Sequence, residues 1–96
     1  MAGETAARKL PDVRTLKAAH EAVHRLRPKL DAPLSEWLAF RQTSAALYTQ
    51  VADVDRFHHH EALYWAQREQ ETANNIAAQI RAAKSQERSR PNTERR

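Results

Sequence analysis

Residues 34–53 read LSEWLAFRQTSAALYTQVAD, and the spacing of the large apolar side chains in this stretch decides the fold. Trp37, Leu38, Phe40, Leu47, Tyr48, Val51 and Val54 recur largely at steps of three, four and seven, with Ala45 and Ala46 between them. That is the period of a helix, and nothing here alternates apolar with polar as a half-buried strand requires. Pro33 suits the opening turn of such a helix, where its missing N–H costs nothing, and Glu36 lies near the positive end of the dipole. The resulting apolar surface is too wide for one short neighbour to cover.

Upstream, Val13, Leu16, Ala19, Val23 and Leu26 line one side of a first helix expected over about 13–27. It should begin at a cap between Asp12 and Thr15, and Pro28 should end it, because the residue before a proline is pushed out of the helical region. Residues 28–33, PKLDAP, make a stiff connector. Downstream, Asp53 and Asp55 are poor helix-interior residues and good caps, so a break is expected within 53–59. Past it the stripe resumes as Leu63, Ala66, Ala73, Ile76, Ala77 and Ile80, flanked by Arg68, Glu69, Glu71 and Arg81. A narrow alanine seam edged by charge predicts a helix–helix contact, either antiparallel on the second helix or with another chain.

The fold class is therefore all-α: a two- or three-helix antiparallel hairpin or bundle, with helices about 13–27, 34–53 and 57–86. Residues 12–86 form a single domain, preceded by a disordered N-terminus (1–11) and followed by a basic disordered tail (87–96). With 96 residues there is no room for a second domain, and 18 of the hydrophobic residues are Ala, which leaves a thin core.

Composition excludes several classes of function. A mean hydropathy of −0.85 is incompatible with a membrane span. The absence of Cys removes disulfide frameworks, iron–sulfur sites and Cys-based zinc sites. A lone Gly at position 3 leaves no glycine-rich phosphate loop. The hydroxyls of Ser35, Thr43, Ser44 and Thr49 fall in helical contexts with no sharp turn to expose a nucleophile, so an enzyme is not expected and no cofactor is implied. The formal charge of +4 sits entirely in the last sixteen residues. There Arg81, Lys84, Arg88, Arg90, Arg95 and Arg96 outnumber Glu87 and Glu94. Such a tail attracts polyanions, and nucleic acid is a possible partner through it.

The run His58–His59–His60–Glu61 is the densest chemistry in the chain. Adjacent helical residues point about 100° apart, so three neighbouring imidazoles cannot share one ion. The usable pairs are His20 with His24, Asp55 with His58 or His59, and His58 with Glu61; the first two are the expected partial ligands for zinc or nickel, completed across an oligomer interface. The competing account is a solvated helix start. Aromatic residues supply the other candidates: Tyr64 and Trp65, on adjacent positions, cannot both face one core. Self-association, most simply a symmetric dimer, is expected to use Trp37, Leu47, Val51, Tyr64, Trp65, Ile76 and Ile80.

Several segments, above all HHHEALYWAQRE over residues 58–69, resemble a family of short uncharacterised actinomycete-type helical proteins across roughly residues 15–85. The resemblance implies a cytoplasmic bacterial protein and carries no activity or ligand. The functional expectation is a non-enzymatic interaction or adaptor protein with an unidentified protein partner. The alternatives are a nucleic-acid-associated regulator acting through the tail and a small helical metal-binding protein.

Overall fold

A computed structural model describes residues 10–89. Helices α1 (Leu16–Leu26), α2 (Leu34–Val54) and α3 (His59–Ser89) follow in order, with a 3-10 turn at Arg56–His58 between the last two and no strand among the described residues. Residues 1–9 and 90–96 lie outside that range, and with them the expected N-terminal disorder and most of the tail.

The first helix starts three residues later than its apolar stripe suggests. Thr15 is the cap: its Oγ1 accepts the Ala18 N–H at 3.0 Å, closing one of the donors that a helix start leaves open. Val13 still reaches the core but from extended chain, where the Gln50 side chain donates to its carbonyl at 3.2 Å. At the other end Arg27 adopts extended geometry before Pro28, as the proline requires. Pro33 stands at the cap of α2 rather than inside its first turn, and its carbonyl accepts the N–H groups of Glu36 and Trp37.

The expected break is present. Asp55 leaves the helical region (φ −100°, ψ 87°), and the tight 3-10 turn that follows reverses the chain. The pairs His59–Ala52, Tyr48–Trp65 and Arg41–Glu69 then nest one inside the next, which fixes α2 and α3 as antiparallel. Small buried residues on both helices, Ser44, Ala45 and Ala52 against Ala62, Ala66 and Ala73, let the backbones approach closely. Leu63, expected in the seam, is half-exposed, and Ala62 takes its place.

The broad face of α2 is covered from two sides within the chain. Leu16, Ala19, Ala22 and Val23 of α1 pack on one side and α3 on the other, with Phe40, Leu47, Tyr48 and Val51 between. Leu26, placed on the buried side by its spacing, is half-exposed at the last position of α1. The last helix runs to Ser89, so residues 87–89 belong to it and not to a disordered tail; Gln86, Glu87 and Arg88 are good helix formers. At about 1.5 Å per residue its 31 residues outreach the 21 of α2 by roughly 15 Å. Residues 81–88 are all exposed on that overhang.

Candidate functional site

Three helices meet at one aromatic junction. His20 of α1, Tyr48 of α2 and Trp65 of α3 lie with ring centroids 5.3, 5.4 and 6.0 Å apart, the imidazole edge-on to both other rings. The Tyr48 hydroxyl and His20 Nδ1 share a 2.7 Å hydrogen bond. Burial pushes the Tyr48 phenol up to about 12; nearby Glu69 adds to this, and Arg27 works against it. The phenol therefore stays protonated at any physiological pH. Trp65 thus faces inward while its neighbour Tyr64 is 55% exposed, the split that adjacent positions demand.

A second junction lies toward the connector. Arg41 Nη1 donates to both carboxylate oxygens of Glu69, at 2.9 and 3.1 Å. The guanidinium groups of Arg27 and Arg41 stand 5.2–5.7 Å from the ring centres of Trp37 and Phe40. Trp37 Nε1–H donates to the Lys29 carbonyl, tying the connector down. Glu69, read as a charged flank, is only 6% exposed. No feature of the local sequence separates it from Glu71; its burial comes from Arg41 across the seam.

The reversal between α2 and α3 forms the tip of the molecule, and here the histidines take structural roles. Asp55 Oδ2 accepts the Leu16 N–H at 3.1 Å, so the end of α2 caps the start of α1. The same oxygen accepts from His58 Nδ1–H at 3.0 Å. Desolvation pushes the Asp55 carboxyl upward, but the bonds from Leu16 and His58 and the charge of His58 outweigh it and hold the group below its ordinary value. His59 Nδ1–H donates to the Ala52 carbonyl at 2.7 Å, satisfying an acceptor at the end of α2.

These bonds divide the expected metal ligands. His20 is turned onto Tyr48 while His24 is exposed, and Asp55 meets His58 as a hydrogen-bond partner while His59 serves the backbone. Among the described residues no three or more His, Asp or Glu side chains are grouped as metal ligands.

The expected interface residues are divided as well. Leu47 and Val51 of α2 are completely buried within the chain, because α1 and α3 close over them, and Ile76 of α3 is nearly buried. They leave no surface for a second copy. Trp37, Trp65 and Ile80 are half-buried, and Tyr64 alone is open. In the tail, Arg81, Lys84 and Arg88 occupy positions i, i+3 and i+7 of the α3 overhang, all exposed on one side. Arg90, Arg95 and Arg96 lie outside the described residues.

What sequence reasoning missed is Phe57. It stands in the 3-10 turn with 98% of its surface exposed, and half-exposed Val54 precedes it by three residues. On the side of the turn that carries Asp55 and His58 runs an open groove of about 530 Å³. Leu16, Lys17, His20 and Glu21 of α1 form one wall, and Asp55, His58 and Glu61 form the other. A smaller hollow of about 380 Å³ lies on another side of the turn, against Arg56 and His59. Comparison with protein-family models, with curated proteins and with solved structures finds no match to this chain.

Proposed function

We propose that this protein is a non-enzymatic helical interaction module, an adaptor or accessory subunit that self-associates and engages a protein partner through its tip. The near-complete exposure of Phe57 carries the reading. Isolated exposed apolar residues are ordinary on protein surfaces. A phenylalanine held out on a turn whose Asp55, His58 and His59 are already bonded within the chain is different, because burying such a side chain yields about 1.5–3 kcal/mol. On the free chain that gain is left unused.

The non-enzymatic part of the proposal is supported by how the tip spends its polar groups. Asp55 caps a helix, His58 braces it, His59 closes a carbonyl and His20 bonds a protonated phenol. A cytoplasmic location and kinship with the short actinomycete-type family belong to the same proposal. They are supported by the cysteine-free composition and by the HHHEALYWAQRE run. Among the described residues no helix is long and apolar enough to cross a membrane.

The test is capture with wild-type and Phe57→Asp baits. A partner, a second copy included, retained by the wild type and lost by the variant is the expected result. Identical capture by both contradicts the role of the tip.

One observation favours a second reading. The i, i+3, i+7 placement of Arg81, Lys84 and Arg88 makes a basic stripe on an uncovered rod, suited to a phosphate backbone. Neutralising all three to Gln should reduce affinity for duplex DNA and flatten its salt dependence by about 3 in log–log slope if each contacts a phosphate. An unchanged slope removes that reading.

A further inference from the structure

Ala62, Ala66, Glu69 and Ala73 bury one side of α3 against α2. At about 100° per residue, the opposite side carries Glu61, Tyr64, Arg68 and Glu71, all of them exposed. His60 stands one turn before Tyr64 on that side, and Phe57 precedes His60 by three. Residues three apart in a 3-10 turn eclipse one another, so Phe57 and Tyr64 share one outward face. Two charges lie along the same edge of that face. Glu61 and Arg68 are two turns apart, about 10 Å along the axis, and too far to meet within one helix. Neither makes an ion pair among the described residues. Arg68 Nη1 instead rests 3.5 Å from the Tyr64 hydroxyl. At the Glu61 end this edge borders the groove with α1, where Glu21 is shared with Lys17 at 3.4 Å. Glu61 is left there as a carboxylate without a cation.

We propose that this face is covered by the same face of a second copy, with the two α3 helices antiparallel about a two-fold axis midway between Tyr64 and Trp65. The pattern of charge chooses the occupant. Glu61 and Arg68 are equally far from that midpoint, and a two-fold axis across antiparallel helices keeps each residue on its own edge. Each Glu61 therefore meets Arg68 of the other copy, twice per dimer. A parallel pairing would set Glu61 on Glu61 and Arg68 on Arg68, which like-charge repulsion disfavours. At the centre Tyr64 meets Tyr64. At each end Phe57 comes to lie beside Glu71 and Thr72 of the other copy, which gives the exposed ring the cover it lacks. Because α2 stands behind α3 in each copy, the buried cores stay as they are. One helix pair over about four turns buries less than the ~1,200–2,000 Å² of a standard stable interface, which makes the association reversible.

The inference rests on the proposed interaction role, and its test separates the two. Sedimentation equilibrium of the full chain from micromolar to millimolar concentration should show the 11.0 kDa species giving way to one of twice that mass. Glu61→Arg and Arg68→Glu should each weaken dimerisation about tenfold, since each places like charges together at two sites. The double variant restores both pairs with their signs exchanged and should return to within a few-fold of wild type. Phe57→Ala, on the surface of the turn, should weaken it at least about tenfold with an unchanged circular dichroism spectrum. A chain that stays monomeric at millimolar concentration overturns the proposal. So does a dimer indifferent to Glu61 and Arg68, or a charge reversal that the double variant fails to rescue. Phe57-dependent capture of a different protein, alongside a monomeric chain, overturns this inference and leaves the interaction role standing.

Discussion

At the scale of single residues, Asp55 does the most varied work. It ends α2, its carboxylate caps the first N–H of α1, and it fixes the ring of His58. Because its carboxyl is held below the ordinary value, the folded state favours the ionised form more than the unfolded chain does. That contribution is complete above the ordinary carboxylate value of about 3.9 and is lost as the pH falls through the lower, folded-state value. Thermal melts should therefore fall in midpoint on acidification through that window, and Asp55→Asn should melt lower near neutrality with a weaker acid dependence. Tyr48 titrates in the opposite sense. Its stabilisation is present below pH about 10, the ordinary phenol value, and vanishes as the pH rises through about 12. Phenolate absorbance against pH should resolve that late transition, and Tyr48→Phe should remove it at a cost of about 1 kcal/mol for the lost bond to His20. For the histidines, calorimetric titration with zinc should show no saturable binding at micromolar metal, since zinc needs about four ligands and no three His, Asp or Glu side chains are grouped among the described residues.

Among the elements, the contact between α2 and α3 combines a seam of small side chains with one ion pair that sets its register. Arg41 and Glu69 are both largely buried, and breaking such a pair from one side strands a charge. Glu69→Ala should cost about 3 kcal/mol in urea unfolding, whereas Arg41→Met with Glu69→Leu should recover most of that loss. Leu47→Ala, inside the completely buried part of α2, should cost about 2–5 kcal/mol. Helix existence was legible from periodicity, and the ends were legible where a local device sets them: Thr15, Pro28 and Asp55 each act through their own backbone or side chain. Partnerships across the seam were not. Glu69 differs from Glu71, and Ala62 from Leu63, only by which side of α3 meets α2, and that rotation is set by residues about 28 positions away, such as Arg41.

For the whole molecule, the reading of α2 as too broad for one neighbour was sound, but the cover comes from α1 and α3 of the same chain. Assigning Leu47 and Val51 to a shared interface followed from counting apolar residues without knowing that both flanks close. The candidate site was half legible. The cluster Asp55–His60 stood out in the sequence as a metal prospect, whereas the structure uses its polar members to tie three helices together. Phe57 was hidden because exposure in a three-residue turn depends on how the turn is rotated, and no periodic pattern reports that. The account that results is of a small helical body whose polar tip chemistry is structural and whose exposed aromatic is free for contact. Site-specific photocrosslinking from position 57, in cells that make the protein, tests this most directly, with exposed Ala78 on α3 as the control position. The account predicts discrete adducts from position 57, one of them at twice the chain mass, and none from position 78. The absence of adducts from position 57, or the same adducts from both positions, would contradict it.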